Sequence, residues 1–508
     1  MTFFSLRDRA VLADIRALFS VNVRPFCWLF LLYSIGIFAV LRSNVLYVND
    51  TSRVLARGLY LKNVGRVLSD WLGSVFFIPA ADLSPLTQLG AVACMAGAAV
   101  FVCATLYRRR MTLWQVLCCV PLGLSPYFLQ NLSYKFDSLF MGMSALCVTG
   151  AFYCLTHHGR SRMGQVVSCL ALFSVMCLYQ AMINLFFTLG IFWCAGRMLE
   201  GVAWRKIVLS ALRVLPALAV ALLAYRGAMH FVELNSYMLK HNDVMPLGEL
   251  GQGLLKNIGL YVQYLREDWG DNRMGAAAAA VLALFTLCQM LAAGRLPMPA
   301  GQRLLRFLGG HALLWLGAVA LPGLMLLLPD MVLEPRVFAP VGFYLSLSML
   351  FIQQHARSLQ RGLGVLVCGT LVVYCFGFAA AYGNALTMQY DFERMIYSQL
   401  IMDMSKYCEQ YKTNKVRFAG YMPRSPQLKA LEEDFPAVLK LVPVTLRNGD
   451  WHTPRKLTAW GVPVESEQDT RNMKTEPLLH TAFYDIAVNS DNVLFLTFPF
   501  GRQDGKGR

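Results

Sequence analysis

The sequence predicts a polytopic, all-α membrane protein with about 11 transmembrane helices and a small soluble α/β domain at its carboxyl end. Of the 508 residues, 56% are hydrophobic and only 15% are charged, and the mean hydropathy is +0.47. Such values are typical of a chain solvated mainly by lipid. Long apolar segments such as LGAVACMAGAAVFVCATL can each cross about 30 Å of hydrocarbon as a helix. The last 120 or so residues are polar by contrast.

The apolar segments define the predicted spans in chain order. The first follows an arginine-containing stretch, and no A-x-A cleavage site comes after it, which indicates a retained start-transfer helix. The spans are predicted near residues 25–41, 86–107, 112–129, 139–156, 164–178, 181–195, 214–232, 274–293, 307–328, 339–354 and 363–384.

The distribution of charge orients these spans. The connections on the side of residues 1–24 hold 18 basic residues (Lys and Arg) and only three acidic ones (Asp and Glu). The opposite connections before the tail hold 11 basic and 12 acidic residues. Because basic connections stay in the cytoplasm, the amino terminus is predicted to be cytoplasmic and the loop 43–85 to lie outside. The same bias accounts for the net charge of +16 without a nucleic-acid partner. We expect an inner-membrane protein whose tail is periplasmic.

The apolar run 164–195 has 32 residues, which is about 48 Å as one helix and too long for one comfortable span. Both of its flanks are basic, so it must cross an even number of times. Two short helices are therefore predicted, meeting near Tyr179, Gln180 and Asn184.

The chain divides into a transmembrane domain, 1–387, and a periplasmic α/β domain, 388–508. In the second, DFERMIYSQLIMDMSKYCEQ is predicted to be an amphipathic helix. The segments VRFAGYM, LKLVPVTL and NVLFLTF are predicted to be strands.

The loop 43–85 opens with YVND, which places Asn49 and Asp50 just beyond the first span. If a helix starts near Asn49, then Asp50, Arg53 and Arg57 fall on one face within about 60° of arc. Asp50 could instead be only a helix cap, and the arginines could simply reach lipid headgroups.

A second outer segment, SPYFLQNLSYKFDSLFM, holds Asn131, Tyr134, Lys135 and Asp137 between two spans with almost no room for an ordinary loop. Lys135 and Asp137 could be a plain interfacial ion pair. Taken with the first loop, however, these residues indicate a site for an anionic lipid.

Three further charges lie on the predicted outer side. Glu334 and Arg336 occupy the cramped turn DMVLEPRV, where they could simply pair with each other. Arg226 lies inside an apolar span near its outer end, where an arginine costs several kcal/mol and favours a partner or a phosphate.

The sequence contains no Walker loop, HExxH motif or paired CxxC, and its eight histidines show no metal-ligand spacing. No metal or cofactor is predicted, although a divalent ion is not excluded. An outer carboxylate among arginines suits glycosyl transfer from a polyprenyl-phosphate sugar. Arginines bind a phosphate leaving group by bidentate hydrogen bonds, and a carboxylate takes a proton from an attacking hydroxyl.

The segments YVND, GRVLSDWL, PYFLQNLSYKFDSL and LYQAMINL together resemble the bacterial and phage serotype-converting O-antigen glucosyltransferases. The resemblance covers most of the chain, and that family is similar in architecture to the GT-C glycosyltransferases. It implies transfer of glucose from undecaprenyl-phosphate glucose to an O-antigen sugar of lipopolysaccharide in the periplasm. Relatives often carry two consecutive acids where this chain has Asn49 and Asp50, so Asp50 is here the candidate general base.

The remaining roles follow from the resemblance, except those of Arg226, Glu334 and Arg336, which rest on charge placement alone. The predicted ligands of the donor phosphate are Arg53, Arg66, Lys135, Arg226 and Arg336. The predicted lining of the substrate pocket is Asn49, Asn131, Tyr134, Asp137, Tyr179, Gln180 and Glu334. The rival classes are a lipid or polysaccharide transporter or flippase, which would need a polar path through the bilayer, and a periplasm-facing acyltransferase.

Overall fold

The computed structural model describes residues 6–76, 81–240, 244–357, 359–445, 452–466 and 476–498, and these are mostly helical. The amino-terminal half forms helices that connect through short breaks, because polar or proline residues interrupt the apolar runs. The first twelve helices are α1 Leu6–Val21, α2 Val23–Gly36, α3 Phe38–Ser43, α4 Asp50–Ala56, α5 Val67–Phe76, α6 Leu86–Leu106, α7 Leu113–Cys118, α8 Val120–Leu124, α9 Pro126–Ser133, α10 Ser138–His158, α11 Arg162–Leu178 and α12 Asn184–Leu199.

The second half continues the helical bundle and ends in a small sheet. Its helices are α13 Trp204–Met229, α14 Ser236–Lys240, α15 Leu250–Trp269, α16 Arg273–Gly294, α17 Ala300–Val319, α18 Pro340–His355, α19 Leu359–Gln410, α20 Pro426–Ala430, α21 Val438–Leu441 and α22 His452–Ala459. Short 3₁₀ turns lie at Lys62–Val64, Gln180–Ile183, Gly323–Leu327 and Pro335–Phe338. The strands are β1 Lys415–Ala419, β2 Glu465–Ser466, β3 Leu479–His480, β4 Asp485–Val488 and β5 Leu494–Thr497.

Within the described ranges, seven helical segments are long and apolar enough to cross a membrane, and counting two bent pairs as spans gives nine. The bent pairs are α1 with α2, at 65°, and α7–α8 with α9, at 61°. Helix lies at all eleven predicted segments, but α11 is only 17 residues long and α17 is less apolar than the others. The multi-pass helical architecture is thus confirmed, while the count of 11 stays a prediction.

The predicted break in the run 164–195 is confirmed. Helix α11 ends at Leu178, Tyr179 is extended with φ −156° and ψ 99°, and the 3₁₀ turn Gln180–Ile183 leads into α12. The side chain of Asn184 donates to the carbonyl of Pro322 at 2.7 Å. The polar groups at mid-run therefore have partners, as an apolar environment requires.

Helix α19 is continuous over 52 residues, about 78 Å. It passes through the predicted domain border at residue 387 and carries the amphipathic segment that follows. The sheet beside its far end has the order β2-β1-β5-β4-β3, with β1 parallel to β2 and β5, and β4 antiparallel to its neighbours.

Two of the three predicted strands of the tail are present, as β1 and β5. The prediction for LKLVPVTL is wrong, because this segment begins in α21 and its described remainder forms no strand. The reason is its packing. Val438, Leu441 and Val442 are buried in the same hydrophobic core as the membrane helices, so the segment serves the bundle and not the sheet.

Candidate active site

Asp50 is the first residue of α4 and is completely buried. Its Oδ2 accepts hydrogen bonds from the backbone N–H of Tyr47 at 3.1 Å and from that of Lys135 at 3.0 Å. Lys135 is 85 positions away in the chain. Asp50 therefore joins two outer segments and is more than a local helix cap.

Arg53 lies one turn further along α4, also buried, and connects two carboxylates. Its Nη1 is 2.8 Å from Oδ2 of Asp137 and 3.6 Å from Oδ1 of Asp50. Asp137 occupies the cap position of α10 but makes no capping hydrogen bond there. The acid of the second segment thus turns toward the arginine of the first.

Arg66, just before α5, approaches the carboxylate of Asp137. Its Nη1 is 3.9 Å from Oδ2 of Asp137, and its guanidinium carbon lies 4.6 Å from the centre of the Tyr179 ring. A cation over an aromatic face is favoured electrostatically. Gly65 adopts φ +72°, and a Cβ there would lie 2.5 Å from the hydroxyl of Tyr225, so only glycine lets the chain turn into Arg66.

The side chain of Lys135 points away from Asp50. Its Nζ donates to Oδ1 of Asn44 at 2.5 Å and to Oδ2 of Asp82 at 2.6 Å. This buried ammonium is therefore neutralised within the protein, and it ties both ends of the loop 43–85 to the second segment.

Arg336 brings in the third outer segment. Its Nη1 donates to the hydroxyl of Tyr134, and its backbone N–H donates to Oε1 of Gln130 at 2.7 Å. The amide nitrogen of Gln130 donates to the hydroxyl of Tyr47 at 3.0 Å. Through these hydrogen bonds, the 3₁₀ turn Pro335–Phe338 supports Tyr47, which lies three positions before Asp50.

The break between α11 and α12 closes the cluster. The Tyr179 hydroxyl donates to the carbonyl of Arg336 at 3.4 Å, and the Asn131 amide donates to the same oxygen at 3.4 Å. Gln180 donates to the carbonyl of Val64 at 3.3 Å and to the hydroxyl of Tyr225 at 2.9 Å. These four predicted outer elements therefore meet at one place.

Several buried polar atoms of this cluster have no hydrogen-bond partner among the described residues. They are Oδ1 of Asp50, Oδ1 of Asp137, Oδ1 of Asn131 and Nε of Arg66. Buried polar atoms in folded proteins nearly always have partners, and exceptions concentrate where a ligand or water binds. These atoms are therefore candidates to bond a polar ligand or water.

Burial raises the pKa of Asp50 from 3.8 to about 7; Arg53 opposes this rise and the charge of Asp137 adds to it. Desolvation penalises the ionised form, and a neighbouring like charge does the same. A carboxyl group with a pKa near neutrality can accept a proton from a hydroxyl and release it again at working pH.

Three predicted residues do not join the hydrogen-bonded cluster. Arg226 lies exposed on the side of α13, next to Tyr225. Glu334 is half-buried at the start of the turn that carries Arg336, and Asn49 precedes α4 without a side-chain cap. Arg57, expected on the face of Asp50, instead ends α4 in the left-handed conformation (φ 52°) and is exposed.

Two contributors to the site, Tyr47 and Leu441, are not marked by any pattern in the sequence. Tyr47 is 1% exposed, and its hydroxyl donates to the carbonyl of Leu441 at 2.5 Å. Leu441 belongs to α21, so the tail reaches the loop of Asp50 directly. Tyrosine and leucine in such positions carry no signal of their own, because the link depends on how distant segments pack.

A second group that sequence reasoning missed lies beside the cluster, where α15 meets α21. Asp268 accepts from the hydroxyl of Tyr127 at 2.9 Å, and its Oδ1 is 2.8 Å from Nζ of Lys440. Trp269 donates its indole N–H to the same Tyr127 hydroxyl at 2.8 Å. The acidic residue Asp268 can be seen in the sequence LREDWGD, but its partner, Lys440, lies in a segment predicted to be a strand.

In the part of the chain that the structure describes, no group of three or more His, Cys, Asp or Glu side chains is placed to hold a metal ion. The two acids of the cluster face arginines. The prediction that the protein uses no metal stays a prediction.

Comparison with known proteins gives two matches. Residues 10–352 match the family model described as Glucosyl transferase GtrII. A protein of Salmonella phage P22, described as an uncharacterized 55.3 kDa protein in the gtrB 5′ region, is 24% identical over 446 residues, which are 85% of this chain and 89% of the phage protein. No solved structure matches the chain significantly.

Proposed function

Since the chain belongs to the Glucosyl transferase GtrII family, as its sequence resemblance predicted, we propose that it moves glucose from undecaprenyl-phosphate glucose to a sugar hydroxyl of O-antigen on the periplasmic side of the inner membrane. The family supports glucosyl transfer, and the match to a phage protein of a gtrB region supports modification of a bacterial surface glycan. The lipid donor fits a multi-pass helical protein with a GT-C-like arrangement, in which the reacting groups lie at a membrane surface.

The observation that carries the proposal is the buried Asp50, whose pKa is near 7 and whose Oδ1 has no hydrogen-bond partner and lies 3.6 Å from Arg53. In the proposed reaction the acceptor oxygen forms a bond to the anomeric carbon of glucose while the bond from that carbon to the phosphate oxygen breaks. The electron pair of the broken bond leaves with the phosphate. Asp50 takes the hydroxyl proton, and a single displacement of this kind inverts the anomeric centre.

The contacts separate the cations by role. Arg53 is held between Asp50 and Asp137, and Lys135 is neutralised by Asp82, so both are suited to positioning the base. Arg66 has an unpartnered Nε and its carboxylate contact is a distant 3.9 Å. We therefore assign the phosphate first to Arg66, with Arg336, whose carbonyl accepts a hydrogen bond from Tyr179, as its companion.

The proposal is tested with membranes that contain the wild-type chain or an Asp50→Asn variant. These membranes receive undecaprenyl phosphate bearing labelled glucose, with the galactose-bearing lipid as the donor control, and O-antigen polysaccharide as acceptor. We expect labelled polysaccharide with inverted linkage only for glucose and only with the wild-type chain. Movement of the labelled lipid across the bilayer without product would instead favour a flippase, and an unlabelled acyl-modified product would favour an acyltransferase.

A further inference from the structure

A polar cavity of about 360 Å³ lies away from the cluster around Asp50 and shares no lining residue with it. It sits between the start of α11, the end of α12 and the first turns of α13, and it is not explained by sugar transfer. Its lining is Arg160, Trp193, Arg197, Val202, Lys206, Ile207, Leu209, Ser210 and Arg213. Four of these nine side chains are cationic and none is acidic, so the cavity is suited to an anion.

The cavity lies at the opposite membrane surface from the candidate active site, and α13 shows this directly. Lys206 lies near the start of α13, whereas Tyr225 near its end donates to the carbonyl of Gly65 at 3.2 Å and contacts Gln180. Nineteen residues of helix separate Lys206 from Tyr225, which is about 28 Å and close to the thickness of the hydrocarbon layer. The cavity is therefore on the face that the charge distribution predicts to be cytoplasmic.

The charges of the cavity are only partly balanced from within the protein. Arg197 is 3.1 Å from Glu200, an exposed pair at the end of α12, and its guanidinium carbon lies 5.9 Å from the Trp193 ring centre. Arg160, Lys206 and Arg213 make no ion pair with the described residues. Three cations around one concavity repel each other, and a bound phosphate relieves that repulsion.

The surroundings of the cavity favour a lipid over a soluble anion. Only 22% of the apolar stretch of α13 is buried inside the protein, the lowest share among the candidate spans of the described chain. Leu209, which lines the cavity, and Leu212 and Leu215 on the same helix are 45%, 54% and 45% exposed. An acyl chain can therefore lie against α13 while its headgroup phosphate occupies the basic cavity.

We propose that this cavity binds the phosphate of an anionic phospholipid from the leaflet opposite the candidate active site. Arg160, Lys206 and Arg213 contact the phosphate, Ser210 supplies a hydroxyl donor, and Ile207 and Trp193 form an apolar floor. The site anchors the junction of α11, α12 and α13, whose other ends carry Tyr179, Gln180 and Tyr225.

The test uses the full chain purified in a neutral detergent, with bound lipid counted by native mass spectrometry. The pocket variant is Arg160→Gln/Lys206→Gln/Arg213→Gln. The control variant is Arg108→Gln/Arg110→Gln/Arg205→Gln, which removes three exposed cations of the same face that do not line the cavity. Each protein receives dioleoylphosphatidylglycerol or dioleoylphosphatidylcholine, and sodium phosphate is added as the soluble competitor.

We expect the wild type and the control variant to retain phosphatidylglycerol in preference to phosphatidylcholine, and the pocket variant to bind it more weakly by on the order of a hundredfold. Millimolar phosphate should not displace the lipid. Equal losses in the two variants, or no preference for the anionic lipid, would overturn the proposal. Displacement by free phosphate would identify a soluble-anion site instead. If the pocket variant does not fold, the proposal is tested by lipid binding to the single variant Lys206→Gln and by phosphate competition on the wild type.

Discussion

At the scale of single residues, the important feature is that one carboxylate is buried beside an arginine and a second acid. An ionised group without water is costly unless it is paired, and Asp50 is only partly paired: its Oδ2 has two backbone donors while its Oδ1 has none. This arrangement leaves one oxygen available for a substrate proton. It also makes Asp50 a poor contributor to stability, as expected of a functional group.

Replacement of Asp50 by Asn is expected to reduce glucosyl transfer by about 10² to 10⁴-fold, because the amide cannot take the proton. The same variant is expected to be more stable than the wild type at pH 8 and equal to it near pH 4. The folded pKa of Asp50 is raised above its ordinary value, so the stability that this group contributes is present below about pH 4 and is lost as pH rises toward 7. Thermal unfolding at the two pH values checks this. A variant with wild-type turnover would remove Asp50 as the base.

The pH dependence of the reaction gives an independent test. A base must be deprotonated to act, so kcat/KM should rise with pH through about 7 and level off above it. In Asp137→Asn the inflection should move to lower pH, because a like charge near Asp50 is gone and Arg53 has only one carboxylate left to pair with.

The measurement is kcat/KM from pH 5 to 9 for both proteins, with Ser74→Ala, an exposed change in α5, as the matched control. An inflection that stays in place in Asp137→Asn, or a rate that falls as pH rises, would contradict the assignment of Asp50.

At the scale of elements, the tail is attached to the membrane bundle through α21. Leu441 accepts hydrogen bonds from Tyr47 at 2.5 Å and from Tyr382 of α19 at 3.5 Å. Lys440 lies 2.8 Å from Asp268 and 3.6 Å from the centre of the Tyr264 ring in α15. The tail thus contacts both the loop of Asp50 and a helix between spans.

Replacement of Lys440 by Met is expected to destabilise the protein by about 2 kcal/mol, because it leaves Asp268 buried without its cation. The estimate allows for the partial exposure of Lys440. The double variant Lys440→Met/Asp268→Asn should recover much of the loss, since the uncompensated charge is then gone. Arg197→Met, which breaks an exposed pair, should change stability by less than about 0.5 kcal/mol.

Thermal unfolding in one detergent provides the comparison of all four proteins. If Lys440→Met unfolds at the wild-type temperature, the attachment of α21 does not depend on this ion pair.

At the scale of the whole molecule, the two membrane surfaces carry different polar groups. Acids and arginines meet around Asp50 on one surface, whereas the cavity lined by Arg160, Lys206 and Arg213 lies on the other. The charge distribution predicts that the first surface faces the periplasm. With the amino terminus in the cytoplasm, the odd number of 11 predicted spans would place the tail on that same side.

A reporter enzyme active only outside the cytoplasm, fused after residue 508, is therefore expected to be active. The same reporter fused after Arg110 should be inactive, because this connection is predicted to be cytoplasmic. Activity of the second fusion, or inactivity of the first, would show that the orientation is reversed or that the number of spans is even.

The sequence by itself determined where the chain enters lipid and which segments carry the polar groups, because hydropathy and charge act locally, residue by residue. Thus the break at Tyr179 and Gln180 was predictable, and so was the polar character of the segments that carry Asp50, Lys135 and Asp137. The sequence also predicted that these two segments contribute to one site, and the structure joins them through Asp50 and Arg53.

Only the tertiary structure decided which partner each charge takes. Arg53 rather than Arg57 joins the two acids, Arg226 faces outward, and Lys135 pairs with Asp82. The packing likewise places Val438–Leu441 in helix α21, although the sequence of this segment suits a strand. These outcomes depend on contacts between segments tens to hundreds of residues apart, whose geometry is set by the packing angles of helices and leaves no trace in local composition.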